Sequence, residues 1–138
     1  KEWPVEVRPI DPVDLMNPEP KEPQNYIWFK ARSSLPDVVS LHQCVLAYMS
    51  DMTLLDVCTN PHGVNFMNPN IHSASLDHAM WFHRPFKADD WLLYHQDSPS
   101  ASGARGFNRG SIFDLNGNLI ASVAQEGLIR FTENSKSQ

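Results

Sequence analysis

The groups in this chain able to do chemistry are a lone carboxylate in an apolar helix, polar residues set into apolar strands, and six histidines. Asp51 lies in Leu41–Cys58 (LHQCVLAYMSDMTLLDVC), the longest helix-like apolar stretch. At helical spacing Leu41, Cys44, Ala47, Tyr48, Asp51, Leu54, Leu55 and Cys58 fall on one stripe, which Asp51 interrupts. Val45, Leu46, Met49 and Met52 cover much of the rest, so the helix reads as buried on most sides. An unpaired polar group there costs about 1–3 kcal/mol, and more if charged. Near the C-terminus, Ala121, Val123, Gln125, Gly127, Ile129 and Phe131 share one parity of a strand, so Gln125 is expected to point at the helix. A third polar group comes from the Ser75–Asp77 region, where parity does not choose between hydroxyl and carboxylate. These groups either satisfy one another as a buried hydrogen-bond cluster or work on a substrate. A carboxylate such as Asp51 is able to act as a general base near neutral pH, which an amide or a hydroxyl is not.

The histidines are 42, 62, 72, 78, 83 and 95. His78 and His83 differ by five and point to opposite faces of an unbroken strand, so they are no simple metal pair. No metal-ligand spacing appears, and nothing calls for a cofactor. His78 beside Asp77 is an alternative acid–base pair.

The elements that must position these groups follow from pattern. Glu2–Arg8 is strand-like and Pro9–Asn25 (PIDPVDLMNPEPKEPQN) reads as a proline-rich linker. Tyr26–Arg32 is a strand, and Asp37 or Ser40 is the expected N-cap of the helix. Thr59–Asn70 is a loop. Strands are expected over Ile71–Phe86, Trp91–Asp97, Gly106–Leu115 and Asn118–Phe131, with Asn116-Gly117 as a type I′ hairpin turn. In Ile71–Phe86 both parities carry large apolar side chains, which suggests a central strand covered on both faces by a second domain or subunit. The plan is α+β: an antiparallel sheet curled around one long apolar helix over residues 26–131, preceded by a strand and linker over 1–25 and followed by a polar tail over 132–138.

With 138 residues the chain is one domain able to bury a core, and its net charge of -5 argues against a general nucleic-acid binder. Cys44 and Cys58, 14 positions apart on one helix, are about 21 Å apart and form no disulfide. Two reduced cysteines suggest an intracellular protein. No apolar run approaches the roughly 20 residues of a membrane span. The chain begins at Lys1 without an initiator methionine and is read as a piece of a longer protein.

Several motifs carry a resemblance. Leu76–Phe86 (LDHAMWFHRPF), Ala88–Tyr94 (ADDWLLY), Ser98–Gly106 (SPSASGARG) and Ala124–Arg130 (AQEGLIR), with SLHQCVLAYMSD and the NPH after it, make Trp28–Phe131 similar to the C-terminal half of type II acyl-CoA thioesterases. The resemblance implies a hotdog fold, two of which occur in tandem in the family, and hydrolysis of fatty acyl-CoA to free acid and CoA. It also implies a catalytic set of Asp51, Ser75 and Gln125, choosing Ser75 over Asp77. The expected partners are acyl-CoA and another hotdog domain, either a missing N-terminal half or a second copy. Arg84, Lys87, Arg105 and Arg109 are candidates for CoA phosphates, and Trp81, Phe82, Trp91 and Tyr94 for an acyl channel. A hotdog hydratase or dehydratase using His78/Asp77, or a non-catalytic acyl-CoA-binding or assembly module, are the competing readings. Family members are peroxisomal or cytoplasmic; the last residues, Ser135-Lys136-Ser137-Gln138, are not the Ser-Lys-Leu type of peroxisomal signal.

Overall fold

Seven antiparallel strands and one helix are seen in a computed structural model that describes residues 2–12 and 14–132. The strands are β1 (Val5–Pro9), β2 (Gln24–Ala31), β3 (Ile71–Ser75), β4 (Ala79–Phe82), β5 (Leu92–Ser102), β6 (Arg105–Phe113) and β7 (Leu119–Phe131). They form one sheet in the order β1-β2-β5-β6-β7-β3, with β4 also paired to β7. Its concave face carries Ile27, Phe29, Leu92, Tyr94, Ile112, Ala121 and Val123, which pack on Leu46, Met49 and Leu54 of helix α1 (Val39–Leu54). Burying each such side chain stabilises the fold by about 1.5–3 kcal/mol, which is what seats the helix in the curl. Of the polar tail expected over 132–138, residues 133–138 lie outside the described residues.

Four expectations are corrected in detail. Helix α1 is not capped by Asp37 or Ser40: the N-cap is Val38, with no side-chain cap bond. Tertiary bonds fix this end instead. The ring of buried His42 links the Pro36 carbonyl (3.0 Å) to the Ala88 amide (2.9 Å), and the Leu35 amide donates to Asp89 (2.8 Å). At its other end α1 stops at Leu54, and a 3₁₀ segment (Leu55–His62) follows into what was read as loop. Here Cys58 Sγ and Thr59 Oγ1 donate to the carbonyls of Leu55 and Asp56, and Pro61 has no N–H to continue an α-helix. Burial pushes the Cys58 thiol up to about 11, so it stays protonated as such a donor.

The type I′ turn is also elsewhere. Gly103 and Ala104 both have positive φ (58° and 59°) and join β5 to β6 in two residues, so β5 runs on to Ser102 and β6 starts at Arg105. Asn116 keeps a negative φ. The β6–β7 loop is instead five residues, Asp114 to Asn118, closed by Gly117 N–H to Asp114 O (3.1 Å), with the Asp114 carboxylate accepting the Asn116 and Asn118 amides.

The largest correction concerns Ile71–Phe86, which is no central strand but two short strands at a sheet edge. Ser75 pairs with Gly127 and Ala79 with Ala124, so four steps on one strand oppose three on β7. The extra residue is a bulge, and it reverses side-chain parity. Ser75 before it and His78 and Met80 after it all turn to the concave face, while Trp81 turns outward and is 55% exposed. That reversal is why neither parity of the sequence looked polar. Asp77 repairs the broken ladder: its Oδ1 accepts the Glu126 amide at 2.7 Å, beside the Leu76 amide bond to Glu126 O at 2.9 Å.

Candidate active site

Asp51 stands on the open side of α1. The buried face of the helix is His42, Leu46, Met49, Ser50 and Leu54, whereas Leu41, Cys44, Tyr48 and Asp51 are exposed. The expectation of a helix buried on most sides is therefore corrected, since the sheet covers one face only. The Asp51 side chain is 55% exposed and borders a cleft of about 390 Å³ lined by Tyr48, Met52, Ser75, Leu76 and His78.

The helix, β3 and β7 bring the three expected residues together. Gln125, buried on the concave face of β7, donates from Nε2 to Asp51 Oδ1 (2.9 Å) and to Ser75 Oγ (2.7 Å). Both of its N–H bonds are thus used, one on a carboxylate and one on a hydroxyl. Asp51 lines the cleft, and its second oxygen has no side-chain hydrogen-bond partner among the described residues. Such a set can take a proton from a bound water while the Gln125 amide, itself bonded to Ser75, fixes the base in place.

Two further members were not anticipated together. His78 Nδ1 lies 3.2 Å from Gln125 Oε1 and 3.7 Å from Asp51 Oδ1, and its Nε2 lies 2.9 Å from Ser50 Oγ. Ser50 is fully buried and its own carbonyl accepts the Tyr94 hydroxyl at 2.9 Å. Burial drives the Tyr94 phenol well above its ordinary range, so it acts only as the neutral donor. No sequence pattern marked Ser50, a small hydroxyl beside Asp51 that lies off the apolar stripe. The alternative pair does not form: Asp77 is committed to the Glu126 amide and is not a partner of His78.

The other candidates lie elsewhere. Arg105 and Arg109 project from the convex face of β6, paired with Glu126 (3.2 Å) and with Asp97 (2.9 and 2.6 Å). The Arg109 guanidinium holds the Asp97 carboxyl below the usual carboxylate range. Arg84 donates to the Leu119 carbonyl at 2.6 Å. Trp81 is on the outer face, Trp91 sits under Arg8 and Lys30, and Tyr94 is core. None of these lines the Asp51 cleft. Among the described residues no group of three or more acidic, histidine or cysteine side chains is placed to hold a metal.

A larger cavity, about 550 Å³, lies away from this cleft near the C-terminal end of α1, between the linker and the 3₁₀ segment, lined by Leu15, Ile27, Thr53, Asp56, Phe66 and Met67 among others. Solvent reaches Asp56, yet the protein crowded around it raises its carboxyl from 3.8 to about 6. The folded chain thus holds this proton to higher pH than the unfolded chain, so stability falls as pH rises from about 4 to about 6. Asp56→Asn is expected to flatten that fall: thermal melts near neutral pH should show a higher Tm than the parent, and melts below about pH 4 the same Tm. Equal Tm values near neutral pH would show the crowding to be ineffective.

With the geometry in place, comparison with known proteins decides the family. The profile described as acyl-CoA thioesterase matches residues 1–128. The chain belongs to the acyl-CoA thioesterase family. This acyl-CoA thioesterase family member is 41% identical over 135 residues to "Acyl-coenzyme A thioesterase 8" of Mus musculus, a match covering 94% of the chain and 40% of that relative. The crystal structure of an acyl-CoA thioesterase II, TesB2, from Mycobacterium marinum superposes with a TM-score of 0.80 at 48% identity, covering 94% of the chain and 50% of that structure. A hot dog fold protein from Alicyclobacillus acidocaldarius matches with a TM-score of 0.72 at 16% identity, over 94% of the chain and 47% of its own, and supports the fold alone. The fold is a hotdog, as the motifs implied. The acyl-CoA thioesterase family chain spans about 40% of the length of the curated relative it matches, consistent with one hotdog half. No helix of the described residues is long and apolar enough to cross a membrane.

Proposed function

We propose that this chain is the hydrolytic hotdog of an acyl-CoA thioesterase, cleaving fatty acyl-CoA to free acid and CoA. The observation that carries this is the Gln125 amide, which bridges Asp51 and Ser75 beside an open cleft in a chain of this family. In the proposed step Asp51 takes a proton from a water as the water oxygen attacks the thioester carbonyl carbon. The tetrahedral intermediate then collapses, the carbon–sulfur bond breaks, and the leaving CoA thiolate takes the proton held by Asp51, which returns to its carboxylate form. Gln125 and Ser75 hold Asp51 and the water in line, and this alignment lowers the barrier as well as base strength does. No acyl-enzyme is needed, because Ser75 has no adjacent base: its partner is an amide N–H.

The reading includes a second hotdog domain. Tyr48 on the open face of α1 and Leu76 at the β3–β4 bulge leave apolar surface at the cleft, and Leu41 continues it along the helix. The unpaired edge of β3 lies beside it, and the match to only 40–50% of the longer relatives supports a second domain as what covers both. The test is release of CoA thiol from acyl-CoAs of graded chain length, followed with a thiol reagent at chain concentrations that span self-association. Release well above background is expected. Binding of acyl-CoA without release at every concentration would replace the proposal with a non-catalytic acyl-CoA module.

A further inference from the structure

Gln125 is a side chain whose two ends are alike in shape and opposite in hydrogen bonding. In the orientation observed, Nε2 serves both Asp51 and Ser75, and Oε1 is left 3.2 Å from His78 Nδ1. Rotated by half a turn, the amide oxygen would face the Asp51 carboxylate, acceptor against acceptor, and Ser75 would lose its donor. The working orientation therefore needs a donor at the oxygen end, and within the described residues the atom there is His78 Nδ1.

Ser50 accommodates a ring that carries its proton on Nδ1, and the two oxygens facing Nδ1 select that form. The single Ser50 hydroxyl hydrogen has the Ala47 carbonyl (2.9 Å), His78 Nε2 (2.9 Å) and, more weakly, Met80 Sδ (3.4 Å) as choices. A neutral ring with its proton on Nδ1 accepts from Ser50. A doubly protonated ring donates to Ser50, whose hydrogen then goes to Ala47. Both arrangements put a hydrogen on Nδ1 facing Gln125. The remaining neutral form would set the bare Nδ1 lone pair against Gln125 Oε1 and Asp51 Oδ1, and it is disfavoured on both counts.

We propose that His78 is a positioning residue that, braced through Nε2 on the buried Ser50, uses its Nδ1–H to lock the Gln125 amide with both N–H bonds on Asp51 and Ser75. His78 acts through Gln125 and transfers no proton in the reaction. The inference rests on the hydrolytic reading above for its kinetic consequence, and on geometry alone for the amide orientation.

Three variants of the 138-residue chain separate the possibilities. The amide nitrogen of Asn lies close to where His carries Nδ1, so His78→Asn keeps the donor. His78→Gln reaches only toward the Nε2 position, and His78→Ala keeps neither. In the thiol-release assay His78→Gln and His78→Ala are expected to lose about 10- to 100-fold in kcat with KM little changed, and His78→Asn to stay within about threefold. The paired N–H signals of the Gln125 side-chain amide in a ¹⁵N-labelled sample should keep their positions and slow exchange in His78→Asn and lose both in His78→Ala. Equal kcat losses for Asn and Gln, or Gln125 signals unmoved in His78→Ala, would overturn the lock. If His78→Ala does not fold, the Asn–Gln contrast decides by the same two readouts. If the unmodified chain hydrolyses no thioester, the proposed function fails, and the amide signals still test His78.

Discussion

Asp51→Asn is expected to lower kcat for acyl-CoA hydrolysis by about 10²- to 10⁴-fold with KM nearly unchanged, the range for removing a general base. The substitution keeps the shape of the side chain and keeps an oxygen able to accept from Gln125 Nε2, so the hydrogen-bonded frame survives. What is lost is the capacity to take a proton from water. Because the side chain is 55% exposed, the fold should tolerate the change within about 0.5 kcal/mol. Activity and stability therefore separate cleanly. An Asp51→Asn protein that melts like the parent and hydrolyses acyl-CoA at a similar rate would remove Asp51 from the mechanism. A protein that melts far lower would instead show that Asp51 is held for structure.

Gly110→Ala carries the largest expected loss of stability. A Cβ at Gly110 would lie 2.5 Å from Tyr94 Cε2 and 3.0 Å from its Cζ and hydroxyl oxygen. Tyr94 has nowhere to go: it is fully buried, stacks on Phe29 at 5.2 Å between ring centroids, and is tethered by its hydroxyl to Ser50 O. Overpacking of a rigid ring in a closed core costs about 1–3 kcal/mol, and breaking the tether adds about 1 kcal/mol more. Denaturant melts of a double-mutant cycle check the cause. In a Tyr94→Leu background the same Gly110→Ala change should cost much less, because the obstructing ring is gone. Equal costs in both backgrounds would place the strain elsewhere. Since the tether ends one residue before Asp51, the destabilised protein is also expected to be less active than its folded fraction predicts.

The sheet and helix were legible because their periods are clean where one face is core. The strand from Ala121 to Val123 to Gln125 to Gly127 alternates without interruption, and it aimed Gln125 correctly at the helix. Asp51 was found because it interrupts an apolar stripe, although that stripe faces outward from Leu41 to Asp51 and enters the core only at Leu54 and Cys58. A hydrophobic pattern records that a face is to be covered, not which part of the molecule covers it. Ser75 was not separable from Asp77 by pattern, because a single extra residue between β3 and β4 shifts the parity on which such a choice depends. Ser50 and the brace it gives His78 were hidden for a simpler reason. A small hydroxyl in an amphipathic helix carries no periodic signal, and its partner is 28 positions away. The expected phosphate ligands failed to gather because surface arginines on neighbouring antiparallel strands readily find carboxylates across the strand, as Arg109 finds Asp97 and Arg105 finds Glu126.

The bulge at Leu76–His78 behaves like a frameshift written in space. Upstream of it the odd-numbered residue Ser75 belongs to the inner surface; downstream the even-numbered His78 and Met80 do. Two residues three apart, which a regular strand would send to opposite sides, are thereby made neighbours of one glutamine. The length of this short segment is thus as much a part of the site as its side chains. A point substitution there alters one contact, while gaining or losing one residue would exchange the inner and outer surfaces of everything beyond it up to Phe82.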